Sequence, residues 1–150
     1  SRLIMAKIAY NWTKVKRGDI IEFKYRNTKG SILRRTILVL EPKLANRAKN
    51  KSSDYLLHGI QLEVSNVSTN TKLQKILEAA GDVKVVDEKK KIYRVDIDKS
   101  TKQIYSELKS VIKQNGIYRT YNYDKAKKSQ VFLEDLRLPP SFVKELIGDN

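Results

Sequence analysis

The sequence of 150 residues contains no cysteine, which excludes disulfide bonds and thiolate metal sites. It contains a single histidine, His58, so a histidine-rich metal centre is excluded as well. No apolar run approaches the roughly 20 residues of a membrane-spanning helix, and residues 1–16 lack the long apolar core of a signal peptide. The sequence therefore predicts a soluble protein that is not secreted and that uses no metal or other cofactor.

The motifs of several large enzyme classes are also absent. The chain has no GxxxxGK phosphate loop, no GxGxxG, no HExxH and no nucleophile elbow. Scattered acids such as Asp19, Glu22, Glu41 and Glu63 have oxygen atoms that could coordinate Mg²⁺. Their positions on predicted strands and turns of a basic chain favour ordinary surface or edge roles. These absences favour a function in binding over one in catalysis.

Positive charge is the most pronounced feature of the composition. The chain has 31 Lys and Arg residues against 17 Asp and Glu residues, which gives a formal net charge of +14. Such an excess attracts polyanions through counterion release, and nucleic acid is the commonest polyanion. The same charge also suits contact with an acidic protein. The expected partner is therefore nucleic acid, DNA or RNA, or an acidic protein neighbour.

Two apolar-rich segments joined by a turn organise residues 17–42. In the first segment Ile21, Phe23 and Tyr25 alternate with charged residues, which is the period of a half-buried strand. The second segment, residues 32–40, is nearly all β-branched or leucine and predicts a strand covered on both faces. Gly30 ends the turn between them and can adopt a positive φ at little cost. We predict a β-hairpin from which the rest of the fold is built.

Two segments beside the hairpin have alternative interpretations. Residues 1–16 form a predicted N-terminal arm that packs Trp12 and Val15 over one end of the sheet, and stacking of Trp12 on a base is the alternative. Residues 43–53 carry four basic residues without an apolar stripe. They form either a phosphate clamp or an exposed loop without a binding role.

Residues 55–64 return to the period of a strand. The residues that share its apolar face are Leu56, His58, Ile60, Leu62 and Val64. Because His58 lies on this face, the pattern favours a core or boundary histidine over a catalytic base. Gly59 predicts a bulge or a close approach of the backbone.

Capping residues and glycines mark two amphipathic helices. One begins at Thr71–Gln74 and ends at Gly81, and the other begins at Ser100–Gln103 and ends at Gly116. Two short strands, residues 82–87 and 92–97, lie between these helices. A last strand is predicted over residues 131–138, and Pro139–Pro140 begins a short C-terminal helix.

Residues 117–128 interleave three tyrosines with one arginine and three lysines. Tyrosine rings can stack on bases while Arg and Lys neutralise phosphates, so this segment is the best local candidate for nucleic-acid contact. The alternative is that Tyr121 and Tyr123 share a strand face and belong to the core, with their hydroxyls at its rim.

The hairpin resembles the opening of the MazF/PemK toxin ribonucleases, which are small barrels. The residues that carry the resemblance are Gly18-Asp19-Ile20, Lys29-Gly30-Ser31, Arg35 and Leu38-Val39-Leu40. The resemblance implies that Arg35 would stabilise the phosphate at which the chain is cleaved. Thr36 stands where the family has a proline, and Ile32 stands where it has an acid. The resemblance therefore supports the barrel more than the nuclease.

Residues 55–62 and 118–121, together with the LVL strand before them, are similar to segments of small basic proteins of tailed bacteriophages. This resemblance implies a phage-encoded protein that associates with DNA or forms part of the capsid, neck or tail assembly. Its expected location is the cytoplasm of an infected bacterium or the virion.

Taken together, these patterns predict a single domain over residues 1–150 of the α+β class, mainly β. We expect an N-terminal arm (1–16), an SH3-like small β-barrel with two or three peripheral helices (17–138) and a short C-terminal helix (139–150). The predicted function is non-enzymatic electrostatic docking, with little base preference, on nucleic acid or on phage structural proteins. A MazF/PemK-like endoribonuclease acting through Arg35 is the alternative. The predicted nucleic-acid-binding residues are Arg34, Arg35, Lys43, Arg47, Lys49, Lys51, Tyr118, Arg119, Tyr121, Lys125, Lys127 and Lys128.

Overall fold

A computed structural model describes residues 7–50, 53–63, 70–111 and 117–148. The strands are β1 (Ile8–Tyr10), β2 (Ile20–Arg26), β3 (Ile32–Ala45), β4 (Tyr55–Gln61), β5 (Asp82–Asp87), β6 (Ile92–Asp96), β7 (Tyr118–Asn122) and β8 (Val131–Leu133). The helices are α1 (Asn70–Ala80), α2 (Thr101–Val111), α3 (Tyr123–Ala126) and α4 (Pro140–Ile147). A 3-10 turn, Trp12–Lys14, follows β1.

The described strands form an open antiparallel sheet in the order β1-β8-β2-β3-β4-β7, with β5 and β6 as a separate two-stranded sheet. The predicted α+β class with a strand majority is confirmed. Closure into a barrel is not confirmed, because β1 and β7 remain separate edges of the described sheet.

The predicted hairpin is confirmed as β2 and β3. Their register pairs Phe23 with Arg35 and Tyr25 with Leu33, and Gly30 in the connecting turn has a φ of 87°. The turn closes because Asn27 Oδ1 accepts hydrogen bonds from two backbone N–H groups within it. β3 runs five residues beyond the predicted strand, to Ala45, with register shifts against β4 after Val39.

The two faces of the large sheet bury separate hydrophobic clusters. One face, here the helical face, packs Ile20, Leu38 and Ile60 against α1, α2, α4 and the β5–β6 hairpin. The other face, here the aromatic face, buries Phe23 and Ile37 together with Val15, Leu57, Tyr121 and Val131, and Trp12 packs against this cluster. The alternation along β2 and β3 therefore divides the core into two layers, as strand geometry requires. Packing of Trp12 and Val15 over the sheet is confirmed.

The helix predicted from Ser100 is confirmed at its start. The backbone N–H of Gln103 donates to Ser100 Oγ at 3.2 Å, and the backbone N–H of Ser100 donates to Gln103 Oε1 at 2.9 Å. This reciprocal pair is the predicted capping box. The C-terminal helix after Pro139 is confirmed as well, with Phe142 buried.

Three predicted boundaries are wrong. Regular pairing in β8 ends at Leu133, and only an isolated bridge at Asp135 follows, so the strand predicted to residue 138 is too long. Tyr123 does not share a strand face with Tyr121, because β7 ends at Asn122 and the Asn122 side chain caps α3. The strand predicted over residues 55–64 is also too long, because β4 ends at Gln61. The first predicted helix is present as α1, whose described residues are Asn70–Ala80. The predictions for Lys51, Val64 and Gly116 concern residues outside those that the structure describes.

Candidate nucleic-acid interface

The segment from β7 to β8 crosses the aromatic face of the sheet. β7 is an edge strand, whereas β8 pairs with β2 on the far side of β3 and β4, so the connection must span these strands. The Tyr25 hydroxyl accepts a hydrogen bond from the backbone N–H of Asn122 at 3.0 Å, and Trp12 Nε1 donates to the Ser129 carbonyl at 2.8 Å. These contacts fix the lysine-rich end of the predicted contact segment to the sheet.

Lysines from two distant parts of the chain meet around two tyrosine rings. Lys43 Nζ, at the end of β3, lies 4.4 Å from the ring centroid of Tyr55 and 5.2 Å from that of Tyr123. Lys127 Nζ lies 5.7 Å from the Tyr123 centroid. These are cation–π distances. The end of β3 and the α3 segment are therefore neighbours in space. The β3–β4 connection also contacts α3, since Ser53 Oγ lies 3.0 Å from Asp124 Oδ2.

We call the exposed cations of these two segments the basic rim. Its members are Lys43, Arg47, Lys49, Lys125, Lys127 and Lys128. Among the described residues only one member forms an ion pair, Lys127 with Asp124 at 3.6 Å between Nζ and Oδ1. The other members carry positive charge that no described carboxylate neutralises. An uncompensated cluster of this kind concentrates the attraction for a polyanion on one part of the surface.

Beside the rim, polar side chains of β3, β4 and β7 form a second group, here called the mouth. Arg35 Nη1 lies 3.4 Å from Glu63 Oε1, and Gln61 Nε2 donates to the same oxygen at 2.9 Å. Arg119 Nε donates to Gln61 Oε1 at 3.0 Å. The backbone N–H of Thr36 donates to the second Glu63 oxygen at 3.0 Å. The Glu63 carboxylate thus accepts from three donors, one of which is Arg35.

Tyr121 forms the floor of the mouth. Its ring packs edge-on against Phe23 and Tyr25, with centroids 5.3 Å and 5.1 Å away, and the residue is only 5% exposed. Burial, together with the charge of Glu63, raises the pKa of the Tyr121 phenol, which therefore remains a hydrogen-bond donor at neutral pH. Its hydroxyl is buried without a hydrogen-bond partner in the described structure, and so is Arg35 Nε.

A glycine beside the mouth allows β3 and β4 to approach each other closely. Gly59 pairs with Arg119 across β4 and β7, and an added Cβ would lie 2.7 Å from Ile37 Cδ1 and 2.8 Å from the Leu38 carbonyl oxygen. The close approach that the sequence predicted at Gly59 is therefore confirmed, and only glycine fits there without displacing β3.

Two of the predicted binding residues lie on the other face of the sheet. Arg34 alternates with Arg35 along β3, and its Nε donates to Glu22 Oε1 at 2.8 Å. The Tyr118 hydroxyl lies 2.6 Å from His58 Nδ1, and its ring contacts the ring of Tyr105. Burial lowers the pKa of His58, so the predicted boundary histidine is neutral near pH 7. Neither Arg34 nor Tyr118 joins the mouth or the rim.

Sequence reasoning missed four residues of the interface: Tyr25, Tyr55, Gln61 and Glu63. Alternation placed Tyr25 on the correct face of β2, but only the pairing of β2 with β3 sets it near Arg35. Alternation placed Glu63 on the polar face of the predicted strand 55–64, but its contact with Arg35 depends on the β3–β4 register. Gln61 is buried at the end of β4, but its burial is a property of the fold and left no signal in the sequence.

The described residues contain no group of three or more His, Cys, Asp or Glu side chains able to hold a metal ion. In the same part of the chain no helix is long and apolar enough to cross a membrane.

The fold and the interface define a basic α+β protein with an open antiparallel sheet, one face of which carries aromatic and cationic side chains. No protein-family model, no curated protein and no solved structure matches the chain. The interface is therefore interpreted from its own geometry.

Proposed function

We propose that the chain binds nucleic acid through the basic rim, without catalysis and with little base preference. The observation that carries the proposal is the convergence of Lys43 from the β3–β4 region with Lys127 from the α3 segment around Tyr123. Lysine ammonium groups at exposed positions contact phosphates as point charges and do not read bases. Affinity should therefore depend steeply on salt and weakly on sequence.

The tyrosines divide between packing and contact. Tyr121 and Tyr123 are both buried, so their rings cannot stack on a base without leaving the core. Tyr55 is 39% exposed and lies under Lys43, which places an accessible ring beside a phosphate-binding cation. We propose that Tyr55 is the position where a base of a single strand stacks.

A charge-reversal pair of variants tests the rim. Lys125, Lys127 and Lys128 are changed together to Glu, and the matched control changes Lys75, Lys89 and Lys90, which are exposed on α1 and the β5–β6 turn. Both triples lower the formal net charge of +14 by six. Fluorescence anisotropy with labelled single-stranded and duplex oligomers of DNA and RNA then gives the affinity at several salt concentrations.

We expect the rim triple to abolish binding at moderate salt and to reduce the log–log salt slope by about 2, since each lost contact to a single strand contributes about 0.7. The control triple should weaken binding only as far as the overall charge does. Equal losses in the two triples would contradict a localised rim and leave a diffuse electrostatic attraction.

A second candidate function is endoribonuclease action through Arg35. The observation that favours it is Glu63, whose carboxylate lies 3.4 Å from Arg35 and supplies the acid–base group that the hairpin alone lacks. Incubation with a long single-stranded RNA tests it. Cleavage that disappears in both Arg35→Ala and Glu63→Gln would establish the nuclease, and intact RNA with the unaltered chain would eliminate it.

Two finer proposals rest on resemblance together with the shape of the sheet. We propose that the sheet is an SH3-like half-barrel, which is supported by the span of residues 122–130 across its aromatic face.

We also propose that the protein belongs to a tailed bacteriophage, where it associates with nucleic acid or with the capsid, neck or tail assembly. Co-purification of the chain with phage particles would support the assembly role.

A further inference from the structure

Two buried hydrogen-bond donors in the mouth have no acceptor. The Tyr121 hydroxyl and Arg35 Nε are each buried and unpartnered, although Tyr121 is otherwise packed tightly between Phe23 and Tyr25. A buried donor without an acceptor is costly, and native proteins keep few of them. Two such donors near one ionic group mark a place where an acceptor from solution would be stabilised.

The acceptor is not supplied by the neighbouring side chains. The Glu63 carboxylate accepts from Arg35 Nη1, Gln61 and the Thr36 backbone, and Gln61 Oε1 accepts from Arg119. The Tyr121 hydroxyl nevertheless lies within the electrostatic reach of Glu63, Arg35 and Arg119. Two guanidinium groups against one carboxylate leave the mouth with an excess positive charge, which favours an anion over a neutral acceptor.

The arrangement of the donors selects the shape of that anion. Arg35 belongs to β3, whereas Arg119 and Tyr121 belong to β7, two strands away, so their donors approach from different directions. A planar carboxylate presents its lone pairs in one plane, whereas a tetrahedral phosphate presents oxygens in several directions. Hydrogen bonds from arginine to phosphate are also among the strongest available in proteins.

We propose that the mouth is a binding site for a single phosphate group, held by Arg35, Arg119 and the Tyr121 hydroxyl. Because both unpartnered donors are covered, the ligand enters as a surface side chain moves. Arg119 is exposed and is held through Nε by Gln61, so its side chain is free to rearrange around an entering ligand once that hydrogen bond opens. If the phosphate belongs to a nucleic-acid backbone, the site is part of the proposed function and rests on it. If the ligand is free phosphate or a nucleotide, the site is independent of the proposed function.

Titration of ¹⁵N-labelled protein with inorganic phosphate tests the site, with sodium chloride at matched ionic strength as the reference. The Nε–H resonance of Arg35, assigned by its loss in Arg35→Lys, should shift saturably with phosphate and not with chloride. Tyr121→Phe removes only the hydroxyl and should weaken phosphate binding about tenfold, the effect of losing one hydrogen bond to a charged group. The control Tyr93→Phe removes a phenol hydroxyl from the helical face and should bind phosphate as the unaltered chain does.

The absence of a saturable shift, or equal phosphate affinity in Tyr121→Phe and the unaltered chain, would overturn the site. A second titration with an oligonucleotide identifies the source of the phosphate, since displacement of inorganic phosphate assigns a nucleic-acid backbone to the mouth and retention assigns a free phosphate compound. The rim triple separates the two proposals: it should lose oligonucleotide binding while Arg35 still responds to inorganic phosphate.

Discussion

Two neighbouring arginines of β3 enter two opposite kinds of polar cluster. Arg34 lies on the helical face of the sheet and pairs with Glu22 at 2.8 Å, in what we call the carboxylate cluster, completed by Lys7 and Glu134. Arg35 lies on the aromatic face and pairs with Glu63 in the mouth. Both clusters join an arginine of β3 to a glutamate from a neighbouring part of the sheet, but they differ in which kind of group lacks a hydrogen-bond partner.

The carboxylate cluster contains one buried acceptor atom that has no hydrogen-bond donor. Glu22 is buried and contacts both Lys7 and Arg34, while Glu134 Oε2 is buried, accepts no hydrogen bond and lies 4.0 Å from Lys7 Nζ. Burial and the adjacent Glu22 raise the pKa of Glu134 to about 9, so this carboxyl binds a proton at neutral pH. A proton taken from solvent thus neutralises the Glu134 carboxyl group. The cluster is complete without any ligand.

The mouth contains two buried donors that have no acceptor, and binding a proton from solvent cannot satisfy them. An unpartnered N–H or O–H is satisfied only by an acceptor, which must be a water molecule or a ligand. In this molecule the buried acceptor without a donor binds a proton, whereas the buried donors without an acceptor form the proposed anion site. The predictions below test each half of this contrast.

The largest expected effect comes from removing the support of the mouth with Phe23→Ala. Phe23 is 1% exposed and its ring contacts Trp12, Tyr25 and Tyr121, so its loss leaves a cavity under the mouth. We expect the free energy of unfolding to fall by about 3–5 kcal/mol. Chemical denaturation measures this loss, and the Arg35 resonance of the folded fraction should no longer respond to phosphate.

The matched control is Leu38→Ala, which opens a cavity in the other core layer. It should cost about 2–5 kcal/mol as well, yet leave the phosphate response of Arg35 in place. If both variants lost the response equally, the two faces would not be independent and the contrast between the clusters would fail.

Local sequence pattern determined much of the fold and little of the site. Alternation in β2, the Asn27–Gly30 turn and the Ser100 capping box were all predictable because each depends on residues a few positions apart. The mouth depends on pairing across β3, β4 and β7 and on the register shifts after Val39, which no local pattern records. Arg34 and Arg35 were assigned the same role because the partners that distinguish them, Glu22 of β2 and Glu63 after β4, are identified only by strand pairing.

The second prediction concerns the proton of the carboxylate cluster. The pKa of Glu134 is raised above its ordinary value of 4.5, so the folded state binds a proton that the unfolded state releases as the pH rises. Its contribution to stability is complete below about pH 4.5 and is lost as the pH rises towards 9. The loss is at most about 1.4 kcal/mol per pH unit, and sharing of the proton with Glu22 reduces it.

Glu134→Gln replaces the protonated carboxyl with a neutral group of the same shape, so it should remove this pH dependence. We expect the variant to match the unaltered chain near pH 4.5 and to be about 2 kcal/mol more stable at pH 8. Urea denaturation at the two pH values measures the difference, with Glu145→Gln on the exposed face of α4 as a control that changes neither value. A difference that does not grow with pH would show that Glu134 is ionised in the folded protein.

The smallest effect is the most diagnostic for the mouth. Tyr121→Phe keeps the ring between Phe23 and Tyr25 but removes a buried hydroxyl that has no acceptor. Because an unsatisfied buried donor costs about 1–3 kcal/mol, the variant should be about 1 kcal/mol more stable than the unaltered chain, measured by urea denaturation without phosphate. The same change weakens phosphate binding, so stability and affinity should move in opposite directions. A less stable Tyr121→Phe would mean that the hydroxyl already has a partner, and the donor excess that distinguishes the mouth from the carboxylate cluster would disappear.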